Sequence, residues 1–158
     1  MVDSSAVINL LASWWFEYDQ GNFDVWPDFF TADAHFACQS DSGTTAYEEF
    51  IRADLHGRDD VLAWQIDHRT NSPYPLRHHC TNVHVTSARA TEAEFRAYIF
   101  VTQIAGGVSN LSTGLCLGTA RVEDDRLRIA ALRVILDTME SEVFSAAPRS
   151  QPMTGTGR

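Results

Sequence analysis

Hydrophobic residues recur at helical spacing near the start of the chain and at every second position in its second half. Over residues 4–19 the apolar positions Ile8, Leu11 and Trp15 predict an amphipathic helix, which a serine at position 4 or 5 can cap. From residue 76 onward the period changes to two. Strands are predicted there over residues 76–86, 94–103, 111–120 and 127–137, with turn residues between them.

Shorter elements are predicted between these two patterns. They are an aromatic-rich helix over residues 23–30, a strand over 34–38 and a helix over 46–55 that extends toward Trp64 if Gly57 is tolerated. Thr45 and Glu48 match a capping box for that last helix. Long consecutive strands with short turns favour antiparallel pairing, so the expected class is α+β, with three N-terminal helices covering one face of the sheet.

The faces of the predicted strands can be assigned from the alternation of apolar and polar residues. Gln103 continues an apolar row, and a polar amide in that position must find a partner or line a cavity. In the first long strand Leu76, His78 and Cys80 share a face, and the apolar side switches near Asn82, which predicts a β-bulge. A row of small residues on the third long strand either lets a helix approach closely or leaves room for a ligand. That row is Ser112, Gly114, Cys116, Gly118 and Ala120.

Composition narrows the class of protein. The chain has 158 residues, 44% of them hydrophobic, which fits one domain over residues 1–145 followed by a flexible tail over 146–158. The net charge is −9, and the basic residues are scattered arginines without a lysine, so nucleic acid and anionic membranes are not expected as partners. No membrane span, secretion signal or disulfide framework is recognisable, and a cytoplasmic location is expected.

Candidate chemistry concentrates where the first helix ends and the histidine-rich strand begins. Tyr18, Asp19, His78 and Gln103 converge if the helix packs across the sheet. A carboxylate beside an imidazole gives an oriented base, and a phenol supplies a neutral hydrogen-bond donor to a developing enolate or hydroxyl. The set suits proton abstraction, dehydration, double-bond migration or cyclisation without a cofactor. The alternative is that Asp19 only closes the helix, since the residues around it up to Asn22 are typical of a turn.

Metal binding is not expected from the clustered histidines. His78 and His79 are neighbours on a strand and point to opposite faces, and His84 lies beyond the predicted bulge. Cys80 is a poor candidate nucleophile because a buried thiol is usually inert. We therefore expect neither a metal nor an organic cofactor.

The order and spacing of four short segments resemble the nuclear-transport-factor-2-like superfamily, in particular its SnoaL-like branch, over about residues 5–140. The resemblance implies a strongly curved antiparallel sheet, a cone-like α+β barrel, wrapped around an apolar pocket that helices close, and commonly a homodimer. The four segments are residues 18–24, 28–34, 77–83 and 127–133.

Two groups within that superfamily are similar to this sequence. The scytalone dehydratase group also pairs a Tyr-Asp at the helix end with a strand histidine, which implies catalytic roles for Tyr18, Asp19 and His78. A second histidine of that group falls on Gln103 here, and its serine–asparagine pair falls near Gly114 and Cys116. Segments 72–85 and 134–137 also look like the small β subunit of aromatic-ring-hydroxylating dioxygenases, a mostly structural subunit that carries no metal.

The leading hypothesis is a cofactor-independent lyase or isomerase acting on an apolar, oxygenated small molecule. Under this hypothesis Asp19 orients His78 as general base, and Tyr18 polarises the substrate oxygen. The second hypothesis is a dioxygenase β subunit or a descendant of one, and the third is a binding protein without turnover. The expected substrate-binding residues are Trp14, Trp15, Phe36, Gln103 and Cys116.

Overall fold

In the computed structural model the helices of the described residues all lie in the first half of the chain, together with two strands. The structure describes residues 1–139 and Ser141. The tail expected over residues 146–158 lies outside the described residues, and the domain boundary at 145 stays a prediction. The helices are α1 (Ser4–Gln20), a 3₁₀ helix (Phe23–Asp28), α2 (Glu48–Ile51) and α3 (Arg58–Asn71). The strands are β1 (Phe30–Ser40), β2 (Ala53–His56), β3 (Leu76–Ala88), β4 (Glu92–Ala105), β5 (Val108–Glu123) and β6 (Arg126–Leu136).

All of these strands belong to one curved, open sheet in the order β2-β1-β6-β5-β4-β3. The antiparallel meander from β3 to β6 is the one that the alternating sequence pattern predicts. The sheet as a whole is mixed, because β1 runs parallel to β6. Alternation along a strand marks its buried face but carries no information about which distant strand lies beside it. The α+β class and the helix-covered, cone-like sheet are confirmed.

The helix predicted over residues 46–55 is wrong in its extent. α2 stops after Ile51, and the next residues form the edge strand β2, which pairs with β1. The match of Thr45 and Glu48 to a capping box misled the prediction. The Glu48 carboxylate instead reaches β1, where it accepts hydrogen bonds from the backbone N–H of Ser40 at 3.2 Å and 3.3 Å and from the Ser40 hydroxyl. Tertiary contacts thus override the local helix signal.

The ends of α1 are fixed by local hydrogen bonds. Asp3, and not Ser4 or Ser5, caps the N-terminus, since its Oδ1 accepts from the backbone N–H of Ser5 at 3.1 Å. At the C-terminus Gly21 adopts a left-handed conformation with φ 68°, and its N–H donates to the Tyr18 carbonyl at 3.0 Å. Glycine is favoured here because it has no Cβ to clash in that conformation.

Aromatic packing sets the angle at which α1 crosses the sheet. Trp14 is fully buried and contacts Trp26 of the 3₁₀ helix and Phe30 of β1, with ring centroids 5.2 Å and 4.7 Å apart. Such pairs add to the large apolar area that each ring buries. α1 packs chiefly against β3, and α3 packs against β1. The last turn of α1 is therefore held against the start of β3.

One local feature of the sheet, the bulge in β3, matches the sequence pattern, and the closeness of β5 to β6 was not predicted. The register of β3 against β4 shifts between Thr81 and His84, and Asn82 has φ 53°, so the predicted bulge is confirmed. On β5, Gly114 and Gly118 lie against the backbone of the neighbouring strand β6 and not against a helix. A Cβ on Gly114 would lie 2.9 Å from the Leu136 Cα, and one on Gly118 would meet the Ala131 carbonyl oxygen. These glycines let β5 and β6 approach closely where the sheet curves.

Candidate active site

Asp19 and His78 form a buried carboxylate–imidazole pair where α1 meets β3. Oδ1 of Asp19 lies 2.6 Å from Nδ1 of His78, and Oδ2 accepts the backbone N–H of the same histidine at 2.7 Å. The Asp19 side chain is 5% exposed and that of His78 is 10% exposed. One carboxylate therefore fixes both the ring and the backbone of His78.

The carboxylate determines which nitrogen of His78 is available for chemistry. A carboxylate only accepts hydrogen bonds, so the Nδ1 that faces it carries the proton. In the neutral ring Nε2 is then the acceptor nitrogen, and His78 is one of the residues that line the cavity. When Nε2 takes up a proton, the resulting imidazolium is stabilised by the negative charge of Asp19.

The position of Asp19 depends on Arg69 of α3 as well as on α1. The buried Arg69 guanidinium donates to the carbonyl of Asp19 at 2.8 Å through Nη2 and to the carbonyl of Tyr18 at 3.1 Å through Nε. Carbonyls in the last turn of a helix lack the N–H partner that a further turn would supply. The Tyr18 carbonyl accepts from Gly21 as well as from Arg69. A positive charge at a helix C-terminus is also favourable. α3 thereby holds the end of α1 in place.

Two aromatic rings fix the orientation of the His78 ring. Trp15 stacks on it with a centroid distance of 4.5 Å and an interplanar angle of 10°. Tyr18 meets it edge-on at 5.1 Å and 88°. Trp15 and Tyr18 are three residues apart, so one face of α1 presents both rings to β3.

A second histidine, His68 of α3, faces the same cavity and was not predicted. Its Nδ1 lies 2.7 Å from the Tyr18 hydroxyl, and its ring lies between Trp64 (4.7 Å) and Phe50 (4.5 Å). Its helical spacing from Val61 and Trp64 is the signal that would have placed it on the buried face of α3. The helix prediction for residues 46–55 left this part of the chain unassigned.

Burial keeps both members of this second pair neutral. It lowers the pKa of His68 to about 4, and the nearby charges of His78 and Arg69 act in the same direction. Burial also raises the pKa of the Tyr18 hydroxyl. The Tyr18 O–H therefore donates to Nδ1 of His68, and the proton of the neutral imidazole lies on Nε2. His68 is in this way oriented as a neutral hydrogen-bond donor.

A cavity of about 250 Å³ lies between the helices and the sheet, and both histidines line it. Among the described residues that line it, none carries a permanent charge, and most are apolar or aromatic. Gln65 lines it as well, and its Nε2 has no hydrogen-bond partner among the described residues. A buried amide donor needs an acceptor, which either a ligand oxygen or a bound water molecule can supply.

The structure brings most of the predicted site residues together. Tyr18, His78, Trp15, Phe36 and Gln103 all line the cavity, and Asp19 lies directly behind His78. Cys38, Ser112 and other residues complete the lining.

Two residues expected to bind substrate lie outside the cavity lining. Trp14 is fully buried because the helix turns it away from Trp15, toward Trp26. Cys116 is fully buried on β5, where a hydrogen bond with Cys80 and burial raise the pKa of its thiol. Parity along the strand placed Cys116 on the inner face correctly but did not say how far the cavity extends.

A curved open sheet with a helix-covered cavity defines an NTF2-like α+β protein. The model of the SnoaL-like domain family matches residues 1–133, and the chain belongs to that family. The resemblance seen in the sequence is thus confirmed. No curated protein matches the sequence at a significant level. No helix in the described part of the chain has the length and apolar character needed to span a membrane.

Solved structures with similar folds have very different sequences. A scytalone dehydratase-like protein from Novosphingobium aromaticivorans DSM 12444 is 13% identical, with 94% of this chain and 93% of that chain covered and a TM-score of 0.68. The β subunit of the benzoate 1,2-dioxygenase from Burkholderia mallei ATCC 23344 is 19% identical, with 86% and 91% covered and a TM-score of 0.67. An NTF2-like protein with a cystatin-like fold from Novosphingobium aromaticivorans is 19% identical, with 85% and 81% covered and a TM-score of 0.65. At these identities the likeness concerns the fold alone.

Proposed function

We propose that this protein is a cofactor-independent lyase or isomerase of the dehydratase, double-bond isomerase or cyclase type. The observation that carries the proposal is the buried pair of Asp19 and His78, in which Asp19 holds Nδ1 and the histidine lines a cavity whose described lining residues carry no permanent charge. An imidazole oriented by a carboxylate is a general base near neutral pH. A structural ion pair alone would not need to face a cavity.

Each residue of the site has a distinct part in the proposed reaction. Nε2 of His78 removes a proton from a carbon next to an oxygenated group, and Asp19 stabilises the imidazolium that forms. The electron pair of that C–H bond moves into an enolate. The imidazolium of His78 then returns the proton, either to another carbon of the substrate in an isomerisation or to a departing hydroxyl that leaves as water in a dehydration. Nε2–H of His68 donates to the substrate oxygen on which negative charge develops. Tyr18 orients His68, because its own hydroxyl proton is already donated to that ring.

This arrangement changes the role first expected for Tyr18. From the sequence, its phenol was expected to polarise the substrate directly. The hydrogen bond of 2.7 Å to His68 transfers that donor role to the imidazole. The Tyr18 oxygen can still accept a hydrogen bond from a substrate hydroxyl, since a phenol both donates and accepts.

The cavity supports a neutral, mostly apolar substrate that carries at least one oxygen. The described residues that line it carry no permanent charge to pair with a carboxylate or phosphate, and its volume of about 250 Å³ suits a molecule of one or two rings. The Gln65 amide and Gln103 supply further polar contacts. We also expect a homodimer in the cytoplasm, which light scattering of the purified protein and fractionation of cells would test.

Proton abstraction can be tested without knowledge of the natural substrate. Cyclic ketones such as 1-tetralone and 2-tetralone are incubated with the protein in D₂O, and loss of their α-proton signals is followed by NMR. Wild type is expected to accelerate exchange, and His78→Ala to reduce that acceleration by about 10²–10⁴-fold. His79→Ala is the matched control, because His79 is the exposed neighbour on the same strand. Equal exchange by wild type and His78→Ala would refute the proposal.

The likeness to a dioxygenase β subunit supports a second candidate function. A β subunit would co-purify with a larger iron-containing partner and would be indifferent to His78→Ala. A binding protein without turnover would take up a tetralone, seen as a shift of the His78 and His68 ring signals, without exchanging its protons. Proton exchange in D₂O distinguishes the enzyme from the other two functions, and co-purification and the histidine ring signals distinguish those two from each other.

A further inference from the structure

Two histidines and an aspartate lie together on the face of β1 and β2 that points away from the cavity. His35 and His56 are directly opposite each other in the antiparallel pair. Side chains alternate along a strand, so Asp54 shares the face of His56, while Phe36 points to the cavity. The three polar side chains thus form a cluster that the proposed reaction does not use.

The ligand atoms of this cluster are close enough to share one ion. Nε2 of His35 lies 2.7 Å from Oδ1 of Asp54, and Nε2 of His56 lies 3.7 Å from the same oxygen. One ligand atom from each residue lies within 4.8 Å of the others. Ligands of a tetrahedral ion with bonds of about 2.0–2.2 Å are roughly 3.3–3.6 Å apart, so side-chain shifts of about 1 Å complete the site. The surface position of the three side chains permits such shifts.

The fold itself does not require this arrangement. The side chains of His35, Asp54 and His56 are 42%, 76% and 74% exposed, and exposed ion pairs contribute little to folding. The two imidazole rings nevertheless stack at 4.2 Å and 7°, an arrangement that is unfavourable if both are protonated. A shared cation would hold both rings in their neutral form.

Asp54 and Arg133 have opposite effects on a cation at this cluster. The Asp54 carboxylate, whose Oδ1 lies 2.7 Å from Nε2 of His35, supplies a negative charge that attracts a metal ion. The positive charge of Arg133 on β6, which acts on Asp54, repels a cation, so we expect a site of moderate affinity.

We propose that His35, Asp54 and His56 bind one Zn²⁺ ion at the outer edge of the sheet, with water as the remaining ligand. Two imidazoles and a carboxylate suit a borderline cation, whereas Mg²⁺ and Ca²⁺ prefer a shell of oxygen ligands. Since β2 is the edge strand, the ion would cross-link it to β1. His35 and His56 are 21 residues apart in the sequence and become neighbours only through the pairing of β1 with β2.

Zinc titration of the full chain, purified without a histidine tag and freed of metal, tests the site. Isothermal titration at pH 7.5 is expected to show one ion per chain with a Kd in the micromolar range. His35→Ala and His56→Ala should each weaken binding at least tenfold, and Mg²⁺ should not compete. His79→Ala and His84→Ala are matched controls, since both residues are exposed histidines of β3, and they should bind zinc as wild type does.

Thermal unfolding gives a second measurement. Zinc should raise the unfolding temperature of wild type but not that of the double variant His35→Ala/His56→Ala, because a ligand of the folded state stabilises it. The double variant should unfold like wild type in EDTA, which separates loss of the site from loss of the fold. Unchanged zinc affinity in the double variant, or no binding by wild type, would overturn the proposal. Neither zinc nor the double substitution His35→Ala/His56→Ala should change the ketone exchange activity.

Discussion

Asp19 holds His78 at two points, its ring Nδ1 at 2.6 Å and its backbone N–H at 2.7 Å. The second bond joins the end of α1 to the first residues of β3 independently of the imidazole. The pair therefore joins two elements of the fold and, under the proposed function, also orients the base.

Asp19→Asn should damage both roles. An amide keeps one acceptor oxygen, so one of the two donors of His78 then faces an NH₂ group. We expect proton abstraction to fall about 10²–10⁴-fold and the free energy of unfolding to fall by about 1–3 kcal/mol. Ketone exchange and urea unfolding measure the two effects. Asp41→Asn, which changes an exposed carboxylate, is the control, and full activity in Asp19→Asn would contradict the proposed role of the charge.

The stability of the protein should fall in mild acid because of His68. The folded pKa of His68 is lowered to about 4, below its ordinary value, so the unfolded chain binds more protons between these two values. The neutral, buried His68 therefore makes a contribution to the free energy of unfolding that is fully present above pH ~6.5 and is lost as the pH falls toward ~4. Between pH 7.5 and 5.0 it should decrease by about 2 kcal/mol.

His68→Gln tests this pH dependence directly. Urea unfolding of wild type and of His68→Gln at pH 7.5 and 5.0 isolates the contribution of His68 to stability, since the two proteins share every other titrating group. The variant should lose about 2 kcal/mol less than wild type between the two pH values. The same loss in both proteins would show that His68 titrates normally in the folded state.

Tyr18→Phe should release the His68 ring from its single tautomer. In wild type, long-range ¹H–¹⁵N spectra are expected to show the Nε2–H form, because the Tyr18 hydroxyl donates to Nδ1. Without that donor both tautomers should be populated, and stability should fall by about 1–3 kcal/mol. Tyr98→Phe is a matched control, since Tyr98 is 56% exposed. An unchanged His68 pattern in Tyr18→Phe would contradict the assigned hydrogen bond.

Gly118→Ala should destabilise the sheet although alanine is barely larger. The added methyl group would meet the Ala131 carbonyl and lie 2.6 Å from Cζ of Phe95. Backbone on one side and a buried ring on the other leave little room for relaxation, so we expect a loss of about 3 kcal/mol. Thr119→Ala on the same strand is the control. Equal unfolding midpoints for Gly118→Ala and wild type would mean that β6 can move away.

The sequence by itself determined the local elements and the faces they bury. Helical spacing marked α1 up to Asp19, and alternation marked the meander from Leu76 to Leu136, since both periods follow from backbone geometry. Parity along β3 selected His78 over His79, and the switch of the apolar side gave the bulge at Asn82. The family resemblance supplied the expectation that Tyr18, Asp19 and His78 form a site.

Only the tertiary structure decided which distant residues meet. It paired β1 with β6 in parallel, converted part of a predicted helix into the edge strand β2, and thereby placed His35 opposite His56. It also brought His68 of α3 to Tyr18, which changes the chemistry available in the cavity. Such contacts lie dozens of residues apart along the chain. They are fixed by packing over the whole molecule, and no local period in the sequence records them.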